Sequence, residues 1–154
     1  MLGTTGLGDA HRQYIAQAAQ KAPVVHSANF STGIAIFERL LAEMRGVSHL
    51  FDIEVVEAHH RYKQDAPSGT ALLLADEINR VAAEPYEYVY DRHTVRQPRG
   101  KRELGLHSVR GGSIVGDHEI LFCGPDEVIT LSHSAGSRTV FANGAVNAAV
   151  FLAG

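Results

Sequence analysis

The chain has 154 residues, a length that suits one compact domain with one good core. Its composition is that of an ordinary globular protein, 45% hydrophobic and 20% charged, and a formal net charge of −3 gives no general attraction to nucleic acid or to an acidic membrane. Cys123 is the only cysteine, which excludes an internal disulfide and a cysteine-rich metal site; no apolar run approaches the roughly 20 residues that span a bilayer, and no secretory pattern opens the chain, so the expectation is a soluble, cytoplasmic protein.

Residues 3–8, Gly-Thr-Thr-Gly-Leu-Gly, read as a loop, and Asp9 is suited to cap a helix running to about Gln20. Lys21-Ala22-Pro23 stops it, and Val24-Val25-His26-Ser27-Ala28 reads as a short buried strand leading into Asn29-Phe30. Ser31 suits the cap of a second helix, on which Ile34, Phe37, Leu41 and Met44 share one face, with Gly46 as its stop. Phe51 to His60 reads as a strand, with Ile53, Val55, Glu57 and His59 pointing one way and Val56, Ala58 and His60 the other. Ser68 caps a third helix whose apolar stripe is Ala71, Leu74, Ile78 and Val81, ending at Glu84-Pro85. Residues 86–104 carry Arg92, Arg96, Arg99, Lys101 and Arg102 and read as an exposed connection. Two strands flank Gly111-Gly112, a suitable hairpin turn; another covers about Glu127 to Ser134, and a last helix runs from Ser137 or Arg138 towards Leu152.

The chemistry is densest between Glu57 and Ala71. His59 and His60 close the strand and can exchange protons near neutral pH, and Lys63 adds a cation. Ser68-Gly69-Thr70 then opens a helix with free backbone N–H groups, two hydroxyls and the positive end of the helix dipole, which together suit a carboxylate or phosphate. The plainer reading makes Ser68 a helix cap and Lys63 a solvated side chain; the whole set within twelve positions favours a site for a small acidic substrate that is protonated as it reacts. Adjacent histidines on a strand point to opposite faces, and no pair has zinc-like spacing with a third ligand nearby, so no metal site is expected. Gly3-x-x-Gly6-x-Gly8 imitates a dinucleotide phosphate loop but has only Met1 and Leu2 before it and no evident acidic ribose partner after it.

The run from Glu57 to Ala71 resembles, almost residue for residue, the signature of the dihydrodipicolinate reductase family. By that resemblance His59 is the proton donor and acceptor, Lys63 a second proton donor, and His60, Ser68, Gly69 and Thr70 bind a small cyclic dicarboxylate. Gly3-Thr4-Thr5-Gly6 resembles the family's loop near the nicotinamide end of the cofactor, and Ser27-Ala28-Asn29-Phe30 its crossover into the substrate domain. Arg138 stands where the family touches cofactor. The resemblance thus implies Gly3, Thr4, Thr5, Ser27, Ala28, Asn29, Phe30 and Arg138 as contacts to NADPH or NADH. Arg110 reads equally as a surface charge and as a substrate or oligomer contact.

The implied fold is α/β: an α+β substrate domain with a mixed sheet and flanking helices, plus a remnant of a Rossmann-type nucleotide-binding domain. Residues 1–30 would belong to that remnant, 31–137 to the substrate and oligomerisation domain, and 138–154 to a helix returning to the remnant. The family begins with a strand, a phosphate loop and further βα units that have no counterpart here, so the resemblance implies a piece of a longer enzyme with exposed apolar surface at 1–30 and 138–154. It also implies a homo-oligomer, a tetramer, and no nucleic-acid or membrane partner. A non-catalytic dicarboxylate-binding or oligomerisation module derived from that enzyme is the alternative.

Overall fold

The computed structural model describes residues 1–4 and 6–154. Among these the chain forms four α-helices, α1 (Asp9–Ala19), α2 (Thr32–Ala42), α3 (Gly69–Val81) and α4 (Thr139–Ala153), and five strands, β1 (Asp52–His59), β2 (Glu87–Val89), β3 (Glu103–Arg110), β4 (Asp117–Cys123) and β5 (Val128–Ser134). The strands make one mixed sheet in the order β2-β3-β1-β4-β5. β1 runs parallel to β3 and antiparallel to β4, so the strand that carries the histidines is the central one.

Alternation on β1 has the expected consequence. Ile53, Val55, Glu57 and His59 are buried under the helices, while Glu54, Val56, Ala58 and His60 face the other side and are half-buried. The core packs Ile34, Phe37 and Leu41 of α2 and Ala71, Leu74, Ala75 and Ile78 of α3 against Ile53, Val55, Leu104, Leu106, Ile120 and Phe122 of the sheet. Each large apolar side chain so buried contributes roughly 1.5–3 kcal/mol. Both helices start at serines: Ser31 Oγ accepts from the Ile34 N–H at 3.4 Å and Ser68 Oγ from the Ala71 N–H at 3.1 Å.

Four expectations need correction. Gly111-Gly112 does not turn a hairpin, because β3 and β4 lie on opposite sides of β1. The 111–116 connection instead crosses the C-terminal end of β1, where Gly111 N–H donates to His59 O (2.9 Å) and Arg61 N–H to Gly112 O (3.2 Å). Residues 86–104 are not a plain exposed connection: Glu87–Val89 adds an edge strand, and Arg99, with a side chain only 18% exposed, is bound to Asp52, Glu54 and the carbonyls of Ile53 and Glu103. Val24–Ala28 is not a buried strand: it makes a single bridge, His26 to Leu2, and none of its residues is fully buried. The cap of α1 is Gly8, one residue before Asp9.

Candidate active site

β1 delivers its last residues to the mouth of a cavity of about 330 Å³. His59, His60, Lys63 and Thr70 line it from the end of β1, the loop after it and the start of α3. Gly3, Ala28, Asn29, Phe30 and Arg138 line it from the two terminal segments. Nine residues singled out along 136 positions of sequence therefore converge on one hollow, at the low end of the size range for small-molecule sites.

The local contacts explain how. Asn29 Nδ2 donates to Thr70 Oγ1 at 2.9 Å, which joins the 27–30 loop to the first turn of α3 and leaves the threonine's own proton free to donate. Ser27 shapes that loop by donating to the Asn29 carbonyl at 2.6 Å and accepting from the Asn29 N–H at 3.2 Å. Arg138, at the head of α4, donates to His60 Nε2 at 3.4 Å. Gly144 lets α4 approach: a Cβ there would overlap the Phe30 carbonyl. Lys63 pairs with Asp65 at 2.9 Å and its side chain is 19% exposed, so it is neither freely solvated nor unpaired.

Other expected site residues stand apart. Ser68 is 1% exposed and acts as the α3 cap, its Oγ hydrogen-bonded with His118 Nε2 at 3.0 Å. Gly69 opens α3, and Thr4 accepts through its carbonyl from His26 Nε2 at 3.2 Å; like Ser27 and Ser68, neither is among the cavity's lining residues. Thr5 lies outside the described residues.

Three residues that sequence reasoning left without a defined role sit directly behind His59. Glu57 Oε2 accepts from His59 Nδ1 at 2.6 Å, and Arg110 donates to both Glu57 oxygens at 2.7 Å. Arg110 is thus an internal partner of Glu57 rather than a surface hairpin charge. His118 of β4, opposite Glu57 in the register, stacks edge-on against His59 with ring centroids 5.2 Å apart. Burial raises the Glu57 carboxyl, but hydrogen bonds from Arg110, Ser108 and His59 and the charge of Arg110 outweigh it and hold the carboxyl at about 2. Burial, with the charge of His59, pushes His118 down to about 4. Burial is also the largest influence on His59; with Lys63 and Arg110 it lowers the ring below the ordinary histidine value against the pull of Glu57. The signal for Glu57 was present, since residues two apart on a strand share a face. No role for His118 was legible in the sequence; the antiparallel register brings it to the site, where it also lines the cavity.

Comparison with known proteins identifies the family of the chain. Residues 33–154 match the family model described as dihydrodipicolinate reductase, C-terminus. The chain is 51% identical over 154 residues to a 4-hydroxy-tetrahydrodipicolinate reductase of Caldanaerobacter subterraneus subsp. tengcongensis, covering all of this chain and 61% of that protein. It is 48% identical over 152 residues to the enzyme of that name from Exiguobacterium sp., covering 99% of this chain and 60% of that one. The solved dipicolinate-bound dihydrodipicolinate reductase from Paenisporosarcina sp. TG-14 is similar with a TM-score of 0.65 and 29% identity, over 94% of this chain and 56% of that one. The chain thus spans about 60% of the length of the curated relatives it matches. On the family match and the shared fold, it belongs to the dihydrodipicolinate reductase family and corresponds to that enzyme's C-terminal part.

Proposed function

We propose that this chain is the substrate-binding part of a reductase that converts 4-hydroxy-tetrahydrodipicolinate to tetrahydrodipicolinate on the diaminopimelate route to lysine, in the cytoplasm, with NADPH or NADH as reductant. The observation that supports this best is the shared cavity, which joins two histidines, a lysine and a helix start to residues of both terminal segments. Residues 31–137 form the substrate and assembly domain in this reading, and 1–30 and 138–154 belong with the nucleotide-binding half. The half-buried outer face of the sheet is the surface for a homotetramer.

The substrate class follows from the charges. One carboxylate of a cyclic dicarboxylate sits at the start of α3, where Thr70 donates its free hydroxyl proton and the helix dipole is positive. Ser68 stabilises that start as its cap, and Gly69 offers bare backbone beside it. Lys63 supplies positive charge at the rim and His60 a ring that can hydrogen-bond the substrate. A solved relative is dipicolinate-bound, and a flat ring with two carboxylates is the ligand expected here.

The net reaction consumes one NAD(P)H and one proton and releases one water. The nicotinamide group, when bound, supplies the hydride. The residues present fit its flat end: at Gly3 a Cβ would stand 3.2 Å from the Phe30 ring, so glycine keeps that edge of the hollow open. Gly3 and Thr4, the Ser27–Phe30 loop and Arg138 are the residues that would hold it. His59, when it takes up a second proton, carries it on Nε2 and delivers it to the carbon adjacent to the reduced one, returning to the neutral ring. Its lowered proton affinity in the buried setting favours that release, and Lys63 is the second proton source.

The test is NAD(P)H oxidation by this chain fused to the nucleotide-binding half of a relative. Turnover is expected, and His59→Gln should lower kcat roughly 10²–10⁴-fold with little change in substrate affinity. Near-normal turnover in that variant removes His59 as the acid.

A further inference from the structure

One carboxylate lies beneath both halves of the substrate site. The Glu57 side chain is 0% exposed, and besides Ser108 its two oxygens take donors from His59, Arg110 and Ser68. Oε2 accepts from His59 Nδ1 (2.6 Å) and Arg110 Nη1 (2.7 Å); Oε1 accepts from Arg110 Nη2 (2.7 Å) and from the Ser68 N–H (3.1 Å). The arginine fork binds both oxygens. The same oxygens also hold the ring that handles the proton and the residue that caps α3. Arg110 is fixed in turn, since Nη2 also donates to the Asp65 carbonyl at 2.7 Å, in the loop that carries Lys63.

We infer that Glu57, clamped by Arg110, is the positioning residue of this site: it holds His59 with its resting proton on Nδ1 and Nε2 toward the cavity, and ties that ring to the helix start that receives the substrate carboxylate. The inference rests on the function proposed above only for what Nε2 does to a substrate; the tautomer and the linkage stand on the contacts alone. Bound to an ionised carboxylate, Nδ1 must be the donor, so neutral His59 presents an empty acceptor at Nε2. Nε2 has no hydrogen-bond partner among the described residues.

Arg110 has a separate task. A buried carboxylate facing an imidazole would by itself hold the imidazolium tightly and make it a poor acid. Arg110 compensates the carboxylate's charge while leaving its hydrogen bond in place. The groups that face His59 are Glu57 on its own strand, Arg110 from β3, His118 from β4, and Lys63 with its partner Asp65 from the following loop. Of these only Glu57 touches the ring with a negative charge, so its removal and the removal of its neutraliser must act in opposite directions.

The test is long-range ¹H–¹⁵N correlation of the His59 imidazole in this chain without cofactor or substrate, followed through a pH titration. The wild-type ring should be protonated on Nδ1 alone near neutral pH. In Glu57→Gln the tautomers should mix and the titration midpoint should fall, whereas in Arg110→Met the midpoint should rise by about one pH unit. Arg110→Lys should return the midpoint toward the wild-type value. A wild-type ring protonated on Nε2, or midpoints that fail to move in opposite directions, overturns the inference. The wild-type tautomer requires no variant and decides the matter even if a substitution unfolds the chain. No turnover enters these readings, so failure here leaves the reductase proposal standing, and a chain that binds no dicarboxylate would defeat that proposal without touching the tautomer.

Discussion

Helix α3 buries Ala71, Leu74, Ala75, Ile78 and Val81 beneath the sheet, whereas α4, which has fifteen residues to its thirteen, buries none. Val146, Val150 and Phe151 of α4 are 61%, 66% and 84% exposed. Helix α1 is like α4 in burying nothing. Apolar content alone therefore does not make a core helix; a stripe matched to a facing surface does. The sheet and its two helices form one packed layer pair, which the terminal segments reach through Asn29 to Thr70 and Arg138 to His60, while Gly144 against Phe30 joins the two terminal segments to each other. An apolar surface of this kind is what a covering domain or a partner would bury, as the proposed nucleotide-binding half would.

That contrast has measurable consequences, beginning with the largest. Leu74→Ala, at a fully buried position of α3, should cost about 2–5 kcal/mol in urea unfolding. A cost below about 1 kcal/mol would mean that α3 does not anchor the core.

Acid should unfold the sheet half through two groups behind the site. His118 titrates at about 4 in the fold against about 6.5 unfolded, and Glu57 at about 2 against about 4.5. Both folded values lie below the unfolded ones, so on acidification the unfolded chain takes up protons first. The stability each contributes is complete above its unfolded value and is lost as pH falls through the folded one, from 6.5 to 4 for His118 and from 4.5 to 2 for Glu57. Each loss is on the order of 3 kcal/mol. Urea midpoints measured between pH 7 and pH 3 should fall steadily, and a flat profile would contradict the buried arrangement.

Smaller again is Ser68→Ala, which removes the α3 cap and leaves His118 Nε2 buried without its partner; about 2 kcal/mol is expected by the same unfolding assay. At the bottom of the scale, Val150→Ser and Phe151→Ser should change stability by less than about 0.5 kcal/mol. The same pair should reduce self-association in sedimentation. A large loss of stability from either would show that α4 is packed after all.

Periodicity carried the parts of the fold that are locally encoded. The alternation of β1, the stripes of α2 and α3, and the serine caps are each written in a dozen residues or fewer. Strand order is not, because it depends on which strand a distant segment joins. Gly111-Gly112 has hairpin chemistry, and only the insertion of β1 between β3 and β4 turns it into a crossover. The same nonlocality hid part of the site. His59, His60, Lys63 and Thr70 stand in one run, but Arg110 and His118 reach Glu57 only through the parallel and antiparallel registers, His59 opposite Arg110 and Glu57 opposite His118. The plainer reading holds for Ser68, which is a cap, and fails for Lys63, which is held in an ion pair at the cavity rather than freely solvated.

The proposed dicarboxylate seat is built from residues of this chain alone, at the start of α3. Calorimetric titration of the chain with dipicolinate, without nucleotide, tests it most directly. Saturable one-site binding is predicted, weakened about tenfold in Thr70→Val by loss of the hydroxyl donor at the α3 start. No binding, or binding indifferent to that substitution, would contradict the placement of the carboxylate seat and with it the account of the site.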